Sequence, residues 1–96
     1  QEQRHLTLTD ADWEEIELFL ERVDDKFVSK LRSRFPQLTI NDIRLLFLLR
    51  LRLSTKTIAE IFKISEKSIK QKLYLYKKKL GVEGESLSLR KFIENF

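Results

Sequence analysis

The chain has 96 residues, 42% of them hydrophobic and 35% charged, with two Gly, one Pro and no Cys or Met. That length supports one small core. The absence of Cys excludes disulfides, thiolate metal sites and thiol nucleophiles, and so little Gly and Pro argues against a loop-rich all-β protein. The net charge of +4 hides an asymmetry: residues 1–25 carry two basic and nine acidic side chains, residues 26–96 seventeen and six. A basic part of this kind suits a densely anionic partner, with nucleic acid the first candidate and a merely solvated surface the alternative.

No run is long and apolar enough to span a bilayer, and no signal-peptide pattern opens the chain. The composition fits a reducing cytoplasm. A chain without Met that opens at Gln1 reads as a piece of a longer parent, which could itself be anchored in a membrane.

The periodicity predicts an all-α fold, a small bundle of about five to six helices. Residues 1–8 form a loose lead-in. Thr9 caps a first helix, with Asp10 and Asp12 favouring its positive end. Trp13, Ile16, Leu20, Val23, Phe27 and Leu31 then recur at steps of three and four as one apolar stripe. Asp24 and Asp25 fall midway as caps for a second helix, giving helices over 10–23 and 25–34, although one bent helix fits the same spacing. Pro36 ends the segment, and residues 1–35 form an acidic helical extension.

Residues 36–82 make the central unit. Thr39 and Asp42 have the spacing of a capping box ahead of a helix over 40–52. Ile43, Leu45, Leu46, Phe47, Leu48, Leu49 and Leu51 make that helix apolar on most sides, hence central and buried, with Arg44, Arg50 and Arg52 on its wetter side. Ser54 caps a short helix over 55–62 and Ser65 a longer one over 66–80, ended by Gly81. In the last unit, 83–96, the polar connector Glu83-Gly84-Glu85 leads to a helix capped by Ser86 or Ser88, with Leu89, Phe92, Ile93 and Phe96 on its apolar side.

Ser54–Leu80 carries the functional signal. A short helix crossing a longer one through a tight turn needs a small residue at the crossing, which Ala59 supplies. Ile58 and Phe62 face inward, Ile64 plugs the turn, and Ile69, Leu73, Tyr76 and Leu80 form one narrow buried seam at 100° per residue. Opposite that seam Lys67, Lys70, Gln71, Tyr74 and Lys78 form a ridge of donors. A helix of this width fits the major groove, where Lys and Gln hydrogen-bond base edges and neighbouring cations meet phosphates. The amides behind Ser54 and Ser65 suit phosphate oxygens. Leu75 lies off the seam, either exposed or against a partner.

Over residues 38–82 the chain resembles the helix-turn-helix output domain of the LuxR/GerE family of response regulators. The family pattern L-T-x-x-E stands here as Leu38-Thr39-Ile40-Asn41-Asp42, and L-S-x-K-E-I-A as Leu53-Ser54-Thr55-Lys56-Thr57-Ile58-Ala59. The run L-x-I-S-x-x-T-V-K stands as Phe62-Lys63-Ile64-Ser65-Glu66-Lys67-Ser68-Ile69-Lys70, and K-L-G-V is unchanged at Lys79-Leu80-Gly81-Val82, all in one ungapped register.

The resemblance implies a sequence-specific double-stranded DNA-binding domain of a transcription regulator in two-component signalling. Lys70, Gln71 and Tyr74 would face bases, with Lys67 beside them. Lys56, Ser68 and Lys72 would touch the phosphate backbone, joined by Ser54, Thr55, Lys77 and Lys78. Departures are Arg52 for the usual Gly, Thr57 for the usual Glu, Lys72 for a common His and Tyr74 for a frequent Lys; these leave the target sequence unpredictable. The family commonly dimerises through its last helix, which would give a homodimer on DNA, but the same residues can simply complete the core, the reading preferred here.

Two rivals remain. Region 4 of a sigma factor shares the helical outline and would add RNA polymerase as a partner. A protein-interaction module on the same scaffold would have lost DNA, with the acidic helices covering the basic ridge. An enzyme is disfavoured: Ser54, Ser65 and Ser68 have no His partner, and Glu14-Glu15 and Asp24-Asp25 read as solvated or capping residues. No cofactor and no metal is expected, since His5 is the one His.

Overall fold

The computed structural model describes residues 7–82 and 88–96. Among them there are six helices and no strand: α1 (Asp10–Val23), α2 (Phe27–Arg34), α3 (Ile40–Arg50), α4 (Thr55–Phe62), α5 (Glu66–Lys79) and α6 (Leu89–Glu94). The fold is all-α. No helix among the described residues is long and apolar enough to cross a membrane.

Each start that the sequence marks with Ser or Thr is built as expected. Thr9 and Thr39 each accept from the third helical amide while Asp12 and Asp42 return the bond to the cap backbone, completing two capping boxes. Ser54, Ser65 and Ser88 accept from Thr57, Ser68 and Lys91. Ser88 is thus a cap; Ser86 and the connector lie outside the described residues.

The second helix starts differently from the expectation. Neither Asp24 nor Asp25 caps it: Asp25 and Lys26 both take left-handed backbone (φ 54° and 60°), and Lys26 is the N-cap residue with no side-chain bond. Asp24 closes α1 instead and turns its carboxylate to Arg50. Val23, read as part of the stripe, is 68% exposed. The step from Leu20 to Val23 is three residues, which rotates Val23 off the inward face just where the helix stops.

Helix α3 is the axis of the core. Ile43 and Leu45 through Leu49 are all buried, in one cluster with Trp13, Leu20, Phe27, Val28, Leu31, Phe35, Ile58, Ala59, Ile69, Leu80, Val82, Leu89 and Ile93. The acidic extension therefore shares one core with the rest. Trp13 of α1 stacks on Phe62 of α4 (centroids 6.0 Å apart), and Phe92 and Phe96 of α6 pack their rings against Phe35, with Phe96 also meeting Phe27 edge-on. The last helix thus completes its own core.

Two of the three arginines placed on the wet side of α3 turn out to be structural. Arg44 lies over the Trp13 ring (5.1 Å) and pairs with Asp10. Arg50 has a side chain only 14% exposed. Its Nε and Nη2 donate to the two Asp24 oxygens (2.6 and 2.8 Å), its Nη1 donates to the carbonyls of Ile93 and Glu94 (2.8 and 3.2 Å), and its plane covers Phe27. One guanidinium ties α1, α2, α3 and α6 together. Arg50→Ala should lower stability by about 3 kcal/mol in urea unfolding, because Asp24 is left without its partner and two helix-end carbonyls lose a donor; Lys, which cannot span the fork, should recover only part of it.

Candidate nucleic-acid interface

Helices α4 and α5 are joined by three residues, Lys63–Ser65. Lys63 ends α4 in left-handed backbone (φ 60°), which lets the Ile64 amide return to the Ala59 carbonyl at 3.1 Å. That reversal puts Ile64 on the rim rather than inside: it is 37% exposed and does not plug the turn. It lines a shallow groove of about 200 Å³ with Asn41, Leu45, Phe62, Lys72 and Tyr76. Ala59 is buried at the crossing, and with no bulk beyond Cβ it lets the two helices approach closely.

The seam of α5 is inward as expected, Ile69 and Leu80 buried and Leu73 and Tyr76 half-buried. Rotation about the helix then leaves Lys67, Lys70, Gln71, Tyr74 and Lys78 all exposed. Lys67 to Lys78 spans about 16 Å of helix. Lys78 sits over the Tyr74 ring at 5.0 Å, so the phenol is held against the helix by a neighbouring cation. Leu75, the residue left undecided by the sequence, is 57% exposed and borders the same surface as Lys67, Lys70, Gln71 and Tyr74.

The phosphate candidates divide. Ser54, Lys56, Lys72 and Lys78 are exposed, while Thr55, Ser68 and Lys77 are half-buried. The Thr55 hydroxyl faces α6, where Arg90 Nη2 donates to it at 3.5 Å and Arg90 Nη1 donates to the Leu53 carbonyl at 2.7 Å. Ser54 and Ser65 take the third amide of their helices, so only the amides nearer each start remain for an anion. Their hydroxyls donate to Thr57 and Ser68 at 3.0 Å.

What holds α5 in this attitude was not read from the sequence beyond its capping role: Asp42. Its side chain is 8% exposed at the start of α3 and receives Lys79 Nζ from the end of α5, along with the Tyr76 hydroxyl and the Thr39 amide. Burial alone would raise its carboxyl, but those hydrogen bonds outweigh it and hold the value at about 2. Burial, then the hydrogen bond to Asp42 and its charge, pushes Tyr76 well above the usual phenol range. Gln37 adds a bond to the Lys79 carbonyl at 3.1 Å. The sequence signal was available in principle: a carboxylate opening a helix that is apolar on most sides is drawn towards the interior, where donors must meet it.

The described part of the acidic extension does not cover the ridge. Three of its carboxylates pair with arginines of α2 and α3: Glu17 with Arg32, Asp10 with Arg44 and Asp24 with Arg50. Thr7, just before α1, accepts from Lys63 in the turn at 3.1 Å. Comparison with protein-family models, with curated proteins and with solved structures found no match to this chain.

Two outcomes follow from the geometry. Because the folded Asp42 carboxyl lies below its ordinary 3.8, its contribution is present above about pH 4 and lost as pH falls towards 2. Thermal melts across that window should show a loss of about 2 kcal/mol that Asp42→Asn abolishes. Arg52 holds a left-handed backbone (φ 66°) and is exposed. Replacing it with Gly should stabilise the fold by about 0.5–1 kcal/mol, read as a raised urea midpoint at unchanged slope.

Proposed function

We propose that this chain is a sequence-specific double-stranded DNA-binding domain, the output end of a transcription regulator of the LuxR/GerE kind, fused in its parent to a sensor or signalling region. The reading rests on one observation: the outward face of α5, bearing Lys67, Lys70, Gln71, Tyr74 and Lys78, is exposed along its length while its opposite face is locked into the core. Helix α5 enters the major groove, α4 braces it across the backbone, and α3 supports both. Lys70 and Gln71 make hydrogen bonds to base edges, Gln being suited to adenine and Lys to guanine. Lys56, Lys72 and Lys78 neutralise phosphates.

Two further facts support the resemblance. The motif's register runs without a gap from Leu38 to Val82. The position where the family pattern has Gly, here Arg52, adopts the left-handed backbone that favours Gly. The reading places the domain in the compartment that holds DNA, and needs no cofactor or catalytic group.

Selection of bound duplexes from a random pool tests it, and enrichment of a defined site is the expected result. On that site Lys70→Ala or Gln71→Ala should cost about 1–3 kcal/mol and relax preference at one base pair. Lys56→Ala should weaken all sequences alike and lower the slope of log affinity against log salt by about one. Binding that ignores salt would contradict the assignment.

A further inference from the structure

One outward side chain of α5 has no role in the DNA reading. Of the three aliphatic residues in this helix, Ile69 is buried and Leu73 half-buried, whereas Leu75 is 57% exposed. A single exposed leucine needs no explanation on its own. The place of this one does. It lines the same open concavity, about 500 Å³ in volume, as Lys67, Lys70, Gln71 and Tyr74. At 100° per residue it stands about 40° beyond Gln71 and about 60° short of Lys72 around the helix. Leu75 therefore falls between a side chain assigned to a base edge and one assigned to a phosphate.

Its neighbours decide what it can meet. Gln71 and Lys72 precede it by one turn and Lys78 follows three residues on, all of them exposed. No carboxylate lines the concavity. An apolar protein face seated here would strip water from these ammonium groups without pairing them, which is costly. A duplex instead supplies phosphates for the lysines, and each of its A·T pairs offers one apolar group in the major groove, the thymine C5-methyl. Across the pair the row runs from adenine N7 and N6 to thymine O4 and then the methyl, which lies next to the thymine's own backbone. A leucine with a base-reading glutamine on one side and a phosphate-binding lysine on the other is placed for that outer end of the row. Gln71 and Leu75 are one turn apart, about 6 Å along the helix, which matches about two base-pair steps.

We infer, resting on the DNA-binding reading above, that Leu75 is a specificity residue: it reads a thymine by packing on its C5-methyl group, about two pairs from the adenine that Gln71 bonds. The contact adds no hydrogen bond. Discrimination comes from the apolar area of the methyl, so uracil and cytosine, which lack it, are both disfavoured at that place.

Duplexes carrying the selected site test it, with each thymine replaced in turn by deoxyuridine, which deletes the methyl and keeps the base pair. One replacement should weaken wild-type binding about three- to fivefold, the effect of one buried methyl. A C·G pair at the same place should be bound better when its cytosine carries a 5-methyl group. Leu75→Ala should bind the thymine and deoxyuridine duplexes equally, while its helical spectrum, salt slope and preference for the adenine stay those of the wild type. Leu75→Met, still apolar, should keep the preference for the methyl. The inference is overturned if every deoxyuridine duplex binds as tightly as the parent site, or if Leu75→Ala retains the thymine preference. Either result leaves the DNA reading intact; a selection that enriches no site removes that reading, and this inference with it.

Discussion

A single buried carboxylate sets the attitude of the helix on which the functional reading rests. Asp42 opens α3, which is apolar on most sides, and its charge is met by Lys79 and by hydrogen bonds from Tyr76, near the far end of α5, and from Thr39 beside it. A helix anchored at its end and crossed closely at Ala59 has little freedom to roll. That matters because one residue of α5 is worth 100° of rotation. A modest roll would bring Lys70 into the core and swing Ile69 into water, at a cost no surface contact could offset.

The charge asymmetry of the sequence resolves into two separate roles. Three carboxylates of the acidic extension, Asp10, Glu17 and Asp24, are met within the molecule, and the cations that meet them, Arg44, Arg32 and Arg50, are all arginines. The fork of a guanidinium suits such multiple contacts, and Arg50 serves a carboxylate, two carbonyls and a ring at once. The cations of the α5 ridge are all lysines, hydrated and exposed. The acidic extension thus balances structural arginines and leaves the positive field of α5 unopposed, which is the field a polyanion would meet.

Most of the fold was legible in the sequence because its signals are local. Caps at Thr9, Thr39, Ser54, Ser65 and Ser88 and the stop at Gly81 depend on bonds within four residues, and the burial of α3 follows from apolar residues on every side. The ridge and seam of α5 also follow from helical spacing alone. What escaped depends on other parts of the chain. Asp24 had two partners to choose from and took a distant guanidinium over a nearby amide. Arg44 and Arg50 looked wet because their partners lie 34 and 26 residues away. Ile64 has the composition of a plug, but the left-handed turn at Lys63 points it outward.

Titrating the isotopically labelled chain with a duplex carrying its selected site, while following backbone amide resonances, measures the central claim directly. The account predicts shifts concentrated in 54–57 and along the outward face of 66–78, with α1 and α2 nearly silent. Shifts confined to the acidic and basic faces of the first two helices, or none at all at low salt, would contradict it.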